Sequence, residues 1–402
     1  MSRRGKLGVV GALALGYVGI YLCRKNLSVA IPLLREAFDA DRQAVGRIAS
    51  VSTLAYALGK VFLGPVVDRL GGRVGFLGSM ALVAVLGAAG AFAPGLAVLT
   101  LLYSANRFAG AAGWPSMMKL VPTWFGAAHT ATVAAVLSLS YVLGGVAATV
   151  FASRIVDAGG GWRAVMGIPS LALALILVVC VFVVRAGPLG ATEGGGRGGV
   201  AWADVASLLR RRRFLIVCGL SFALTLMREA FNTWTVDFLA TSNPGGTLAG
   251  AALGSTAFDI AGAASILAMG VGWDRTPPAY RRWLLAGILG ALAVLLAVLP
   301  TVAMGDPVAG AFLVGAVGLL VYGPYSLLAG AFAVQSGGPR LAATASGVID
   351  AIGYGAGVLA GEALGRVVDA GGYTLGFRCL AAIVLAGTVL ALALPPDQED
   401  LR

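Results

Sequence analysis

The sequence is poor in charge, in histidine and in cysteine. Only 12% of its 402 residues are charged and 58% are hydrophobic, whereas a water-soluble protein of this length carries roughly 25% charged residues. One histidine is present, and Cys23, Cys180, Cys218 and Cys379 all lie in apolar stretches. We expect these thiols to pack among apolar side chains rather than form disulfides or bind zinc. The scarcity of charge predicts a protein that crosses the membrane many times.

The chain also lacks the sequence patterns of enzymes and of nucleic-acid-binding proteins. The segment GGGRGG is not a P-loop because it lacks the final Lys-Ser/Thr, and no nucleophile and base stand at a useful spacing. The formal net charge of +11 comes mostly from basic residues between apolar stretches, as membrane topology requires. We therefore expect no enzyme activity, no cofactor, no metal and no nucleic-acid partner.

The apolar run after Lys6 is too long for a cleavable signal peptide and is expected to form the first span.

Apolar stretches of the length that crosses a bilayer, about 20 residues each, occur twelve times. The predicted spans are 8–33, 44–66, 74–93, 95–117, 128–153, 163–185, 213–239, 247–271, 282–304, 307–333, 341–366 and 372–395. The longest polar interruption divides them six and six. We predict an all-α membrane protein with an N-terminal six-helix bundle at 1–188, a cytoplasmic loop at 189–212 and a C-terminal six-helix bundle at 213–402. A short amphipathic helix is expected near Trp202–Leu209.

The basic residues predict the orientation of the chain. With the N-terminus inside, the inner segments hold 17 basic residues and the outer segments hold 7. This distribution obeys the positive-inside rule and predicts that both termini face the cytoplasm, with the spans in the cell (inner) membrane. The remaining basic residues lie inside spans: Arg24, Lys25, Lys60, Arg107 and Arg228. A charge in the middle of a bilayer costs at least about 2.5–3.5 kcal/mol, so such residues mark functional positions.

The two halves of the chain repeat one another. Arg24 in the first span and Arg228 in the seventh are 204 residues apart. The segment SRIVDAGGGW at the end of the fifth span is similar to GRVVDAGGYT at the end of the eleventh. Parallel repeats of this kind are related by an axis along the membrane normal. Two guanidinium groups in matching positions predict a pocket for a dianion in the middle of the membrane.

Polar residues on two spans share faces with these cations. Tyr17, Tyr21 and Arg24 stand at positions i, i+4 and i+7, and Tyr56 and Lys60 at i and i+4, so each set lies on one helical face. An arginine fork suits the paired oxygens of phosphate or carboxylate, whereas lysine acts as a point charge. These faces predict an anion pocket lined by phenol groups.

A competing interpretation is that each cation pairs with an acid inside the membrane. The candidate acids are Glu229, Asp259, Asp350 and Glu362. For Lys25, which points about 100° away from Arg24 on the helix, we favour pairing with one of the first two acids. For Arg24 and Arg228 we favour anion binding. Lys60 could bind the anion or simply keep the pocket positive.

The loop GPVVDRLGGR after the second span resembles the signature loop of the major facilitator superfamily. The resemblance implies that Asp68 caps a helix end, while Arg69 and Arg73 pair across the interface between the halves in the outward-open state. Asp274 and Arg275 repeat the Asp-Arg pair after the eighth span. We expect these residues to form a gating network together with Lys25, Glu229 and Asp259.

Longer segments resemble the organophosphate:phosphate antiporter family over essentially the whole chain. They include YLCRKNLSVAIP, LAYALGKVFLGPVVDR, LTLMREAFNTW and ATASGVIDAIGYGAG. The resemblance implies that Arg24 and Arg228 grip the phosphate, with Lys60 as the pocket lysine and Asp259 as the acid of the eighth span. It places the pocket tyrosines at Tyr17, Tyr21, Tyr56, Tyr322 and Tyr354. A histidine that a family member carries on the fifth span is Tyr141 here, which we also place in the pocket.

The resemblance implies a monomeric carrier that exchanges a phosphate ester for inorganic phosphate by alternating access. The ester would be of the glycerol-3-phosphate, phosphoglycerate or hexose-phosphate class. Burying two like charges without an anion raises the barrier to reorientation, so we expect the empty carrier to switch slowly. One alternative is a proton-coupled symporter of organic anions such as sugar acids, with Asp259, Asp350 and Glu362 carrying protons. Another is a transporter-like sensor of a phosphate ester.

Overall fold

The computed structural model describes residues 3–125, 127–185, 202–303, 306–328 and 332–395. These residues form fourteen helices and no strand. The helices are α1 Arg3–Phe38, α2 Arg42–Leu70, α3 Gly72–Gly90, α4 Leu96–Gly110, α5 Gly113–Phe125, α6 Ala127–Asp157, α7 Trp162–Val183, α8 Trp202–Leu209, α9 Arg212–Ser242, α10 Leu248–Arg275, α11 Pro278–Val302, α12 Pro307–Leu327, α13 Ala333–Leu359 and α14 Glu362–Leu392. Eight segments of this part of the chain are long and apolar enough to cross a membrane. The predicted all-α membrane class is confirmed.

The chain folds as two compact units. The first comprises Met1–Arg197 with Leu248–Leu253, and the second comprises Gly198–Thr247 with Gly254–Arg402. The first unit therefore holds α1 to α7, and the second holds α8, α9, most of α10 and α11 to α14. The predicted short helix is present as α8, Trp202–Leu209. The predicted domain boundaries and the cytoplasmic position of the loop 189–212 stay predictions.

One predicted span of the first unit is interrupted. The sequence predicts a continuous helix over 95–117, but α4 ends at Gly110 and α5 begins at Gly113. Pro115 in the first turn of α5 explains the break, because it has no N–H to donate to the carbonyl of residue 111. In such a first turn proline is tolerated, since the N–H would have no helical partner there anyway. The short helix α5 continues the span that α4 begins.

Glycines interrupt the last two spans of the second unit. The prediction of a continuous span over 341–366 is wrong, because α13 ends at Leu359 and α14 begins at Glu362. Within α14 the helix is broken at Gly371–Gly372, where Gly372 has a φ of +68°. This left-handed conformation is accessible to glycine without the penalty that a Cβ imposes. The break separates the two final predicted spans.

Burial differs between the helices in a way that indicates lipid on one side. On α7, Leu171, Leu175 and Phe182 are 63%, 71% and 71% exposed, while Leu173 and Cys180 on the same helix are fully buried. Such an exposed apolar face is unusual in water and ordinary against hydrocarbon. In α9, 83% of the most apolar 18-residue segment is buried, so this helix lies in the interior of the second unit.

The four cysteines follow the sequence prediction with one exception. Cys23, Cys180 and Cys218 are buried free thiols. The Cys180 thiol donates to the carbonyl of Ala12 at 3.3 Å, which ties α7 to α1. Cys379 differs, because its side chain is exposed on α14 rather than packed among apolar neighbours as we expected.

Candidate anion-binding site

Three cations surround one buried tyrosine in the first unit. The ring centroid of Tyr56 on α2 lies 4.6 Å from Cζ of Arg24 and 4.7 Å from Cζ of Arg107. Nζ of Lys60 lies 5.6 Å from the same centroid. All three distances are within the range of cation–π attraction. We call this group, Arg24, Lys60, Arg107 and Tyr56, the cation cluster; it draws its members from α1, α2 and α4.

The predicted polar face of α1 is confirmed around Arg24. Nη1 of Arg24 donates to the hydroxyl of Tyr21 at 3.3 Å, and its Cζ lies 5.1 Å from the centre of that ring. The Tyr17 ring lies 5.4 Å from the Tyr21 ring and 5.7 Å from Trp114. Tyr17, Tyr21, Arg24 and Tyr56 line one small pocket together with Asn106 and Arg107. The pocket therefore combines guanidinium and phenol groups, which can both donate to an oxyanion.

Contacts between helices hold this pocket in place. The hydroxyl of Tyr103 on α4 donates to the backbone carbonyl of Arg24 at 2.6 Å. Nδ2 of Asn106 donates to the carbonyl of Val83 on α3 at 2.7 Å. On α6, a Cβ at Gly144 would stand 2.8 Å from Cβ of Tyr21, so only glycine lets α6 approach this closely. The pocket side of α1 is thus fixed by α4 and α6, and α4 is in turn tied to α3.

Tyr141 lies at the edge of the same packing. It is half-buried on α6 and packs against the core cluster that contains Tyr17 and Tyr21. Its role in substrate binding, which we inferred from the family resemblance, stays a prediction.

The first half of the sequence supplies few acids to offset these cations. No acidic residue precedes Glu36, and none stands between Asp41 and Asp68 or between Asp68 and Asp157. The cations of α1, α2 and α4 therefore lie in stretches that contribute positive charge. Clustered charge of one sign between apolar walls raises the local concentration of the opposite ion, which favours an anion as the ligand.

The corresponding arginine of the second unit has a carboxylate neighbour. Nη2 of Arg228 on α9 lies 2.7 Å from Oε1 of Glu229, and both side chains are more than 90% buried. The same nitrogen lies 3.5 Å from the hydroxyl of Tyr354, and Cζ lies 4.5 Å from the ring centre of Tyr325. The pairing that we considered as an alternative is thus present at Arg228. Its role in anion binding stays a prediction.

Tyrosines of the second unit also donate to carboxylates. The hydroxyl of Tyr322 on α12 donates to Oδ1 of the buried Asp259 on α10 at 2.8 Å. A Cβ at Gly262 would overlap the ring of Tyr322, so this glycine makes room for the pair. The hydroxyl of Tyr373 donates to Asp237 at 2.5 Å. Both of these carboxylates thus accept a hydrogen bond from a tyrosine of the same unit.

Arg73 of the predicted gating loop makes a contact that the sequence did not predict. Its Nε donates to the carbonyl of Val184 at 2.7 Å and its Nη2 to that of Val181 at 3.2 Å. These carbonyls belong to the C-terminal end of α7, where helix carbonyls lack intrahelical partners. Arg73 thus ties α3 to α7 within the first unit. Arg69 and Arg275 are exposed.

The other predicted network residues and candidate acids differ in burial and pairing. Lys25 and Asp350 are half-buried. Glu362 pairs with Arg366 at 3.5 Å, so one of the candidate acids has an arginine partner on its own helix. The side chains of Asp68 and Asp274, like that of His129, lie outside the described residues.

Two residues near the arginines were missed from the sequence. The sequence marked Arg107 as a charge inside a span but did not assign it to the pocket; it stands at i+4 from Tyr103, which donates to the Arg24 carbonyl. Tyr325 stands at i+3 from Tyr322 and approaches Arg228. These spacings place Arg107 on the helical face of Tyr103 and Tyr325 on the face of the predicted pocket residue Tyr322. The spacing from Tyr322 was the signal in the sequence that could have identified Tyr325.

Comparisons with known proteins agree with the predicted family. A family model described as Major Facilitator Superfamily matches residues 13–361. The "Probable hexose phosphate transport protein" of Chlamydia pneumoniae is 23% identical, over 97% of this chain and 90% of that protein. The "Glycerol-3-phosphate transporter" of Bacillus subtilis (strain 168) is also 23% identical, over 97% and 92%. The "Membrane sensor protein UhpC" of Salmonella typhimurium is 24% identical, over 95% and 89%.

A solved structure shares the fold. The inward-facing, occupied structure of a bacterial homolog to the human lysosomal transporter Spinster gives a TM-score of 0.82 at 14% identity, covering 98% of this chain and 97% of that one. At this identity the likeness concerns the fold alone. Together with the relatives, it confirms the predicted twelve-span fold class and the resemblance to the organophosphate:phosphate antiporters.

Proposed function

The chain belongs to the Major Facilitator Superfamily and is an integral membrane transporter rather than an enzyme; on this premise we propose that it exchanges an organic phosphate ester for inorganic phosphate. Alternating access between two halves is the mechanism that this architecture supports. We place the protein in the inner membrane with both termini in the cytoplasm, in accordance with the positive-inside rule.

The cation cluster is the observation that carries the proposal. Arg24, Lys60 and Arg107 stand within 4.6–5.6 Å of the buried Tyr56 ring. Bringing a buried arginine and two half-buried cations together is unfavourable unless an anion joins them. A phosphate dianion carries two charges and paired oxygens, which match an arginine fork in bidentate geometry. The hydroxyl of Tyr21 beside Arg24 can donate a further hydrogen bond.

We propose that Arg228 in the second unit also contacts the phosphate during transport. Its Nη2 is held by Glu229 at 2.7 Å, so the phosphate takes the place of that carboxylate. The phosphate must therefore offset the free energy of leaving the buried Glu229 without its arginine, and its two charges and paired oxygens form the stronger contact with the guanidinium. Without phosphate, Arg228 stays paired with Glu229. The proposed carrier then lacks the ligand that lowers the barrier to reorientation. Exchange thus becomes obligatory because each direction of movement needs a bound anion.

The relatives support phosphate esters as the substrate class. One is named for hexose phosphate and another for glycerol-3-phosphate, each aligned over more than nine-tenths of this chain. Both ester classes contain the same dianionic phosphate group. We infer that the arginines recognise this shared group and that other pocket residues recognise the remainder of the ester.

The proposal is tested by counterflow in proteoliposomes. Purified protein is reconstituted in vesicles loaded with inorganic phosphate, with sulfate or with no anion, and uptake of labelled phosphate and of three-carbon and six-carbon phosphate esters is measured. We expect uptake only with internal phosphate, and no effect of a protonophore. Uptake into empty vesicles that a protonophore abolishes would instead identify a proton-coupled symporter of organic anions.

A second candidate function is sensing of a phosphate ester. It is favoured by the relative named as a membrane sensor, which is 24% identical over 95% of this chain. A sensor built on this fold would bind the ester in the same pocket. It is distinguished by the proteoliposome experiment, because a sensor binds phosphate ester at equilibrium yet gives no exchange above that of protein-free vesicles.

A further inference from the structure

A second group of arginines lies at one end of the second unit, away from Arg228. Arg213, Arg281 and Arg282 line a pocket whose other walls include Trp273, Phe332 and Leu394. Arg213 and Arg228 both belong to α9, and 15 residues correspond to about 22 Å along a helix. This pocket, which we call the arginine pocket, is therefore distinct from the proposed transport site.

Aromatic side chains position the arginines of this pocket. Cζ of Arg281 lies 5.2 Å from the ring centre of Trp273, and its Nε donates to the carbonyl of Thr276 at 3.2 Å. Cζ of Arg282 lies 5.5 Å from the ring centre of Trp283. Trp273 is buried against Phe332, with ring centres 5.3 Å apart in an edge-to-face contact. The pocket thus has an aromatic wall, Trp273 and Phe332, against which the guanidinium of Arg281 lies.

The segments that meet here are strongly basic. Residues 202–215 and 270–283 contain seven arginines and two acids. Arg213 is only 4% exposed, so part of this charge is withdrawn from water. The attraction between a buried cation and a nearby anion is strong because the local dielectric constant is low. The pocket is therefore suited to a group with negative charge.

Neighbouring residues place the pocket at the level of lipid headgroups. Tyr280 and Trp283 are 64% and 57% exposed at the start of α11, and an apolar helix follows them. Exposed tyrosine and tryptophan at the end of a span are typical of the membrane–water interface. Arginines between helices at the cytoplasmic ends of spans are typical of sites for anionic lipid headgroups. Phe332 and Leu394 offer apolar contact beside the charge.

We propose that the arginine pocket binds the phosphodiester headgroup of an anionic phospholipid. Arg281 and Arg282 contact the phosphodiester oxygens at the interface, and the buried Arg213 attracts the charge from the inner side. The apolar wall contacts the glycerol and the first methylenes of the acyl chains. The site favours a lipid over free phosphate because only the lipid satisfies both the charged and the apolar walls.

The test compares lipids and variants by native mass spectrometry and by thermal stability. Purified protein in detergent is titrated with phosphatidylglycerol or with phosphatidylcholine, which differ in net charge but share the phosphodiester. We expect phosphatidylglycerol adducts and a rise in Tm that phosphatidylcholine does not reproduce. Millimolar inorganic phosphate should leave the adducts in place. Loss of the adducts on adding phosphate would identify the pocket as a site for free phosphate and overturn the proposal.

Two double variants are compared. Arg281→Gln with Arg282→Gln changes the pocket, and Arg210→Gln with Arg211→Gln is the matched control. The second pair removes the same charge from the same end of the unit, at exposed positions outside the pocket lining. We expect the first pair to lose at least about tenfold in lipid affinity and the control pair to lose less than about twofold. Equal losses in both pairs would show non-specific attraction to charge and would overturn the proposal. Arg281→Lys keeps the charge and checks that the loss does not arise from misfolding.

Discussion

The two units hold their matching arginines in different ways. In the first unit, Arg24 stands beside Tyr21 and shares the Tyr56 ring with two further cations. In the second, Arg228 is paired with Glu229 at 2.7 Å, and Tyr322 donates to Asp259. The repeat in the sequence thus conserves the position of the arginine and changes its surroundings. One unit surrounds a tyrosine with three cations, whereas the other pairs its matching arginine with a carboxylate.

This difference separates two tasks that a phosphate carrier must combine. We infer that the cation cluster supplies the affinity for the anion, since it lies in sequence stretches without acids. The Arg228–Glu229 pair supplies a contact that can be exchanged, because a carboxylate and a phosphate oxygen compete for one nitrogen. Variants in the two units should therefore fail in different ways, and this is what the following predictions test.

Neutralising either arginine should have the largest effect. We expect Arg24→Gln and Arg228→Gln each to slow phosphate exchange in proteoliposomes by at least about 100-fold, since each removes a buried charge-assisted contact of roughly 3 kcal/mol or more. The two variants should differ in stability. Arg228→Gln leaves Glu229 buried without its arginine, which lowers the free energy of unfolding by about 3–5 kcal/mol. Adding Glu229→Gln should restore the Tm but not the exchange. Equal Tm values for the two single variants would contradict the difference between the units.

Charge-preserving variants sharpen the comparison. We expect Arg24→Lys to lose about 10- to 100-fold in exchange rate, because an ammonium cannot form the bidentate contact of a guanidinium. Labelled phosphate exchange is the measurement. Lys60→Arg serves as the control, because it retains charge at a position where we propose only a point charge, and it should keep most of the activity. Full activity in Arg24→Lys would refute the bidentate contact.

Removing the carboxylate alone should change affinity in the opposite direction. We expect Glu229→Gln to lower the KM for phosphate by about tenfold, or 1.4 kcal/mol, since phosphate no longer competes for Arg228. The turnover should fall, because tighter ground-state binding slows release. Arg154 and Asp157 form an exposed ion pair at the end of α6, so Asp157→Asn is the matched control and should change neither parameter. An unchanged KM in Glu229→Gln would show that Glu229 does not compete with the substrate.

The aromatic centre of the cation cluster should have a smaller effect. Tyr56→Leu removes the ring that faces three cations, and a cation–π contact contributes about 0.5–2 kcal/mol. We expect the KM for phosphate to rise by about three- to tenfold, and Tyr56→Phe, which keeps the ring, to stay within about twofold. A similar rise in both variants would assign the effect to the hydroxyl group instead.

The smallest effect should come from a change in the spacing between α6 and α1. Gly144→Ala places a Cβ 2.8 Å from Cβ of Tyr21 and should displace α6 by a few tenths of an ångström. We expect a two- to threefold rise in KM, measured in the same exchange assay. Gly78→Ala, where a Cβ meets nothing within 4 Å, should leave KM unchanged. Loss of activity in Gly78→Ala would show that helix glycines matter for a reason other than this contact.

The sequence predicted the membrane fold and the polar face of α1 because each depends on local pattern. Apolar length determines the spans, and the spacing of Tyr17, Tyr21 and Arg24 determines one helical face. The Arg228–Glu229 contact was harder to predict, because neighbouring residues on a helix point about 100° apart and rotamers decide whether they meet. The breaks at Gly110–Gly113 and at Ala360–Gly361 depend on backbone angles that apolar periodicity does not report. The contact of Arg73 with α7 is long-range, so sequence spacing carries no information about it.

Equilibrium binding of phosphate tests the central claim most directly. The Tm of the purified protein is measured against increasing inorganic phosphate, with equal concentrations of chloride and gluconate as controls, in the wild type and in Arg24→Gln. A ligand that binds the folded state raises the Tm in proportion to the logarithm of its concentration above Kd. We predict such a rise with phosphate in the wild type and its loss in Arg24→Gln. An undiminished phosphate response in Arg24→Gln would contradict the assignment of the cation cluster as the phosphate site.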